Sequence, residues 1–195
     1  MSKFVTLKNG LKAELHLEKT KNDFYIYATA GSDLKVAFCT FSLSYKIEKH
    51  LTDQERLNYA NKHNVPFEKS PEVLCKYIED SKIEKTNGVL LKTTKGKVYK
   101  VAETICQLAK IEIIDEKFYK VGLGTKMIKA MESIISKYNC SYIEGLFAPY
   151  GKFQNGSELF YNRNNFTIIE DPELKVLKHI YKKCKPNNLT TQLLN

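Results

Sequence analysis

The passage from Lys110 to Tyr138 constrains the fold most. Ile111 and Ile113 alternate with Lys110 and Glu112, the pattern of a half-buried strand over 109–114. From Leu123 onward, Met127, Met131, Ile134, Ile135 and Tyr138 recur at helical spacing. Lys126, Lys129, Glu132, Ser133 and Lys137 take the other side, so the spacing predicts an amphipathic helix over 123–138. Strand and helix are joined through Gly122 and Gly124, whose lack of side chains lets the backbone come close to a ligand. The free amides of a helix's first turn point outward, so such a junction suits an anion such as a pyrophosphate. A tight turn that needs glycine for steric reasons is the plainer reading of the same two residues. A Rossmann dinucleotide site is disfavoured, because the third glycine is missing and the next strand carries no ribose-binding acid at the usual distance.

The whole passage resembles motif A of the GCN5-related N-acetyltransferase (GNAT) family. Ile113-Ile114-Asp115 matches that motif's strand end, and Tyr119-Lys120-Val121-Gly122-Leu123-Gly124 matches its [R/Q]-x-x-G-x-[G/A] turn. Downstream, Glu158-Leu159-Phe160-Tyr161-Asn162-Arg163-Asn164-Asn165-Phe166 is similar to motif B, an F-Y-x-x-x-G-F run. Tyr119 stands where arginine or glutamine is usual, and Asn165 where glycine precedes the last phenylalanine.

The resemblance, which covers residues 108–170, implies an α+β fold with a mixed, mostly antiparallel central sheet flanked by helices. It implies acetyl-coenzyme A as co-substrate and a primary amine as acceptor. The cofactor's pyrophosphate would lie on the backbone of Lys120, Val121, Gly122, Leu123, Gly124 and Thr125, next to Tyr119. Its pantetheine would pair with the strand edge at Ile113 and Ile114. Lys120 and Lys126 would add charge, although each also reads as a solvated surface lysine. Tyr161 is implied to meet the departing thiolate as general acid. Glu112 and Glu144 are candidate general bases, each also readable as a surface carboxylate.

The rest of the chain is organised around this block. Residues 1–45 read as β-rich, with an alternating run at Leu11–Leu17 and a hairpin of Phe24–Thr29 and Lys35–Leu43 around Gly31-Ser32-Asp33. Within 52–85 two short helices are predicted. One starts at the capping box Thr52-Asp53-Gln54-Glu55, the other at Ser70-Pro71 with Val73, Leu74, Tyr77 and Ile78 on one face. A second hairpin follows, Val89–Thr94 and Lys97–Val101 across Lys95-Gly96. Later come a strand at Ser141–Ala148, a loop around Pro149–Gly156, a helix at Ser157–Asn164, and strands near Phe166–Ile169 and Lys175–Tyr181.

Two registers fit the family's order. Either Phe24–Leu43 is its second-to-third-strand hairpin and 46–105 is an insertion, or 52–85 holds its usual helix pair and 89–101 that hairpin. The turn into Asp33-Leu34-Lys35-Val36-Ala37-Phe38 favours the first. The expected organisation is one domain over 1–184 and a polar tail over 185–195.

Charge and cysteine usage bound the partners. Lysine and arginine number 31 against 22 acids, a formal charge of +9 that favours an anionic partner, whether nucleic acid, a membrane surface or a phosphate-rich cofactor, although a solvated lysine surface is the plainer reading of the same excess. No apolar stretch approaches the roughly 20 residues that cross a bilayer, and MSKFVTLKNG lacks the apolar segment of a secretory signal. A cytoplasmic location without membrane contact is therefore expected. Cys39, Cys75, Cys106, Cys140 and Cys184 form no CxxC pair, and the histidines are scattered, so no metal site is expected. The acceptor amine is open between an acidic protein, an aminoacyl-tRNA and a small molecule. A different functional class is a non-catalytic protein that keeps this fold and binds or inhibits an acidic partner, a reading kept open by Tyr119.

Overall fold

The computed structural model describes residues 2–20, 23–31, 34–78, 83–86, 90–148, 154–170 and 177–184. In chain order its elements are β1 (Ser2–Thr6), β2 (Lys12–Thr20), β3 (Asp23–Ala30), β4 (Leu34–His50), α1 (Asp53–His63), β5 (Val73–Tyr77), β6 (Ile83–Thr86), β7 (Leu90–Thr93), β8 (Val98–Ile113), α2 (Leu123–Ile135), β9 (Cys140–Phe147), α3 (Gln154–Arg163), β10 (Thr167–Glu170) and β11 (Lys178–Lys183). They cluster into two compact units, 1–44 with 105–195 and 45–104, and the boundary falls inside the long strands β4 and β8.

The first unit holds a mixed sheet in the order β1-β2-β3-β4-β8-β9-β11-β10. Its first four strands form an antiparallel meander, and β9, β11 and β10 pair antiparallel at the other end. Neighbouring β8 and β9 are linked through α2, the crossover expected between strands that a short hairpin cannot join. The strand alternation seen in the sequence sorts side chains as expected. Leu15, Ile26, Ala28, Cys39 and Phe41 are buried, while His16, Tyr25, Tyr27 and Thr40 between them are half-exposed. Phe24 stacks on its cross-strand partner Phe41 at 4.9 Å and meets Tyr138 edge-on at 5.7 Å.

Helix α2 supplies much of the core. Leu123, Met127, Ile128, Met131 and Ile135 are all buried, each contributing at most about 1.5–3 kcal/mol relative to exposure. The helix tightens into a 3-10 turn at Ser136–Tyr138 and ends at Asn139 in the left-handed conformation. Helix α3 begins at Gln154, ahead of the expected Ser157, and the chain leaves it through Asn165 at φ 60°, a left-handed conformation that asparagine tolerates. Residues 149–153 of the expected loop, 175 and 176 of the expected last strand, and the tail 185–195 lie outside the described residues.

In the second unit, α1 starts on the capping box read from the sequence. The Thr52 side chain accepts from the Glu55 amide, and Glu55 accepts from the Thr52 amide. The second helix expected within 70–85 is instead a strand. Val73–Tyr77 is β5, antiparallel to Lys46–His50 of β4, and Ser70 donates its hydroxyl to Phe67 O in a 3-10 turn rather than capping a helix. Val73, Cys75 and Tyr77 suit a pleated edge, and the open edge of β4 offers a full ladder of hydrogen bonds that an isolated short helix lacks. The β7–β8 hairpin pairs Leu90 with Lys100 and Lys92 with Val98 around Gly96, and Val89 of that expectation lies outside the described residues. Among the described residues no helix is long and apolar enough to cross a membrane.

One glycine locks the junction of β8 and β9. A Cβ on Gly145 of β9 would meet the Leu108 carbonyl of β8 at 2.5 Å, and backbone cannot swing aside as a side chain can. Gly145→Ala is therefore expected to destabilise the protein by about 1–3 kcal/mol in urea unfolding. Gly156→Ala, in α3 with nothing within 4 Å of its new methyl, is expected to stabilise it by about 0.5–1 kcal/mol. Equal effects would refute the close approach.

Candidate active site

The loop between β8 and α2 is set by a chain of short-range bonds. At the end of β8 the amides of Ile114 and Asp115 donate to Val36 O of β4, at 2.7 and 3.3 Å. The Ile114 amide is thus committed to β4, and the edge that Ile113 and Ile114 were expected to offer is reduced by that bond. Asp115 caps a 3-10 turn at Glu116–Phe118 by accepting from the Lys117 amide at 3.0 Å. Tyr119 ends that turn in an extended conformation. The chain then enters α2 through two left-handed residues, Lys120 at φ 61° and Gly122 at φ 94°.

Gly122 is the N-cap of α2, and it has no side chain with which to cap. No acid lies in the helix's first turn, and among the described residues no side chain caps its amides. Lys126 is the first residue to return a hydrogen bond, to Gly122 O at 3.1 Å. The outward amides of Leu123, Gly124 and Thr125 therefore face solvent or a ligand with the positive end of the dipole behind them.

The two glycines of the motif do different work. At Gly122 the φ of 94° excludes most side chains, while the space around it is open apart from Lys8, whose Cγ and Cε lie 3.9 and 4.0 Å from where a Cβ would be. At Gly124 the backbone is ordinary, but a Cβ would meet the Phe160 ring at 2.8 Å. Gly124 is small so that α2 can press on α3, a packing reason that the sequence pattern did not disclose.

That contact brings the loop and Tyr161 together. Tyr161 is 7% exposed and sits among the rings of Phe147 at 4.9 Å, Phe160 at 5.2 Å and Phe166 at 5.5 Å. Burial, and then nearby Cys39, push its phenol up to about 12. Burial lifts the Cys39 thiol to about 12 as well, so both groups are neutral at ordinary pH. Lys182 of β11 fastens the end of α3 by donating to Asn164 O at 2.6 Å while pairing with Glu132 of α2, and its ammonium lies 5.4 Å from the centre of the Phe166 ring.

The two candidate carboxylates lie on adjacent strands with different partners. Glu112 of β8 is paired with Lys110 at 2.6 Å. Glu144 of β9 is half-buried and accepts a hydrogen bond from the Gln107 amide group of β8. Lys120 and Lys126 are exposed, Thr125 and Val121 half-exposed, and Leu123 is buried in the core.

No protein-family model and no curated protein matches the sequence. Solved structures do match. The GNAT domain of S. lividans PAT is 6% identical, covers 93% of this chain and 96% of its own, and superposes with a TM-score of 0.51. This chain has the GNAT fold. Nourseothricin acetyltransferase (9% identical, TM-score 0.43, covering 94% and 84%) and Arabidopsis thaliana NAA60 in complex with acetyl-CoA (10% identical, TM-score 0.43, covering 83% and 75%) are further structures that it matches. The residues read as motif A lie on β8, α2 and the loop between them, and those read as motif B on α3 and the turn after it.

The buried phenol gives a direct test of this geometry. Because its folded value lies above the ordinary value of about 10, Tyr161 contributes stability that is full below pH 10 and is lost as pH rises toward 12. The ultraviolet titration of wild type minus that of Tyr161→Phe is expected to show one phenol ionising near 12. A difference curve centred at 10 would place Tyr161 in solvent.

Proposed function

We propose that this protein is an N-acetyltransferase that moves the acetyl group of acetyl-coenzyme A to a primary amine. One observation carries the reading: on a GNAT fold, the first turn of α2 opens on the left-handed Gly122 with neither a capping side chain nor an acid. That arrangement fits a pyrophosphate, because three free amides and a helix dipole favour an anion there and Asp or Glu would oppose it. In this reading Lys120–Thr125 bind the pyrophosphate, Tyr119 flanks it, and Ile113 with Ile114 border the pantetheine arm. Residues 46–105 are an insertion in a single domain that spans 1–184, and the protein acts in the cytoplasm.

The amine attacks the thioester carbonyl. A C–N bond forms, the C–S bond breaks, the amine's proton passes to a base, and the sulfur leaves as a thiolate that takes a proton from solvent. Glu144 is the better base. Its carboxylate is held by a neutral amide, whereas that of Glu112 is already committed to an ion pair with Lys110. Tyr161, neutral to high pH, donates a hydrogen bond to the departing sulfur and need not surrender its proton fully. The +9 charge supports an acidic protein or an aminoacyl-tRNA as acceptor, and an α-amine would need less help from a base than a lysine.

Acetyl-coenzyme A at 100 times its dissociation constant is expected to add about 2.7 kcal/mol of stability, read as a rise in melting temperature. Gly122→Asp is expected to abolish the rise and Gly122→Asn to keep most of it, since the two side chains are strained alike at φ 94° and only one adds a negative charge. No rise in wild type at millimolar ligand would overturn the reading.

Tyr161→Phe keeps the ring and removes the hydroxyl. It is expected to preserve the melting-temperature rise and to slow single-turnover thiol release about 10²-fold, the low end for general-acid effects, because a coenzyme A thiolate leaves fairly well unaided. Binding without any transfer to protein, tRNA or small amines would favour the non-catalytic alternative, to which the missing arginine or glutamine at Tyr119 points.

A further inference from the structure

The turn between β1 and β2 reaches the α2 loop from far away in sequence. It is tightly built: Leu7 donates to Leu11 O at 2.9 Å, Gly10 to Leu7 O at 3.0 Å, and the Asn9 side chain accepts from the Leu11 amide at 3.2 Å. Gly10 takes the left-handed conformation at φ 79° that such a turn demands. From this turn the Lys8 amide donates to Val121 O at 3.1 Å, so the peptide between the two left-handed residues Lys120 and Gly122 is held in place by Lys8.

The Lys8 side chain then runs over Gly122, with Cγ 3.9 Å and Cε 4.0 Å from the position a Cβ would take there. A side chain at Gly122 would lie in ordinary contact with this stem. Lys8 is exposed and forms no ion pair with a described residue. Its ammonium, one bond beyond Cε, is thus an unneutralised charge carried over the N-cap of α2. Tyr119, at the position where the family's side-chain donor is usual, offers no cation.

We propose that Lys8 is the side-chain phosphate ligand of this loop, a cation delivered by the β1–β2 turn that makes up for the donor missing at Tyr119. The inference rests on the acetyl-coenzyme A reading and deepens it by naming a binding residue outside both motifs. A lysine serves here as a point charge rather than as a bidentate fork, so its attraction is screened by salt.

The test measures acetyl-coenzyme A binding by calorimetry for wild type, Lys8→Met, Lys8→Arg and the control Lys3→Met on β1, each at two salt concentrations. Lys8→Met is expected to weaken binding about tenfold and to flatten its salt dependence. Lys8→Arg is expected to restore both, Lys3→Met to match wild type, and all four unliganded proteins to melt alike. Binding by wild type with unchanged affinity in Lys8→Met would overturn the assignment and leave the acetyltransferase reading standing. Weakening in Lys8→Met that Lys8→Arg does not restore would also overturn it, because the backbone tether and not the charge would then be responsible. Absence of binding in wild type itself would remove the reading and Lys8's role with it.

Discussion

Phe160 lies so near the first turn of α2 that a single methyl at Gly124 would strike its ring. Much of the candidate site follows from that proximity. The amides that would face a phosphate belong to α2, and the phenol that would meet a sulfur belongs to α3. The two helices are separated in sequence by the whole of β9. Because Tyr161 follows Phe160 directly and packs on Phe147 and Phe166, the position of α2 is passed to the phenol through one aromatic cluster. Lys182 closes the same cluster from β11 by holding Asn164 O and Glu132 together. A change at Gly124 would therefore disturb phosphate loop and phenol together, whereas one at Gly122 acts on the loop alone.

The electrostatics of the site divide by depth. At the surface, a helix N-terminus without acid or cap and the exposed lysines Lys8, Lys120 and Lys126 make a field that suits a polyanion. Deeper in, burial raises Tyr161, Cys39 and Cys106 and so holds them neutral. A neutral phenol in such surroundings donates a hydrogen bond but does not carry charge. This suits stabilisation of a leaving thiolate whose own pKa is near 8.5 better than outright protonation from a group at about 12.

The parts of this fold that were legible in the sequence are those whose pattern is local. The buried stripe of α2 was visible because its spacing must match 3.6 residues per turn, and the β3–β4 hairpin because its alternation is bounded by a glycine turn. The segment after Ser70 was misread for the same reason. Val73, Leu74, Tyr77 and Ile78 fit one helical face, but the same run fits a strand, and the free edge of β4 decided between them. The packing need for a glycine at 124 was not legible, because its partner Phe160 is remote in sequence. Lys8 escaped notice altogether. Its only local signal is the Asn9-Gly10 turn, which says that the chain reverses there and nothing about what the reversal touches.

A loop with two left-handed residues ought to be soft, since neither conformation is preferred for an ordinary chain and Lys120 pays for its own with no glycine's freedom. Here one end is held by a strand and the other by a turn, neither of them part of the loop's own strand or helix. Val36 of β4 takes the amides of Ile114 and Asp115 before the 3-10 turn, and Lys8 takes the carbonyl of Val121 after it. The first four strands, which carry neither motif, thus serve as the frame on which the motif-bearing loop is fixed. A pre-set loop gives up little conformational freedom when an anion arrives, so its amides retain more of their attraction for the ligand. The antiparallel meander at the start of the chain thus fixes the direction in which the glycine loop's backbone faces, and any ligand of that loop would depend on it as much as on the glycines.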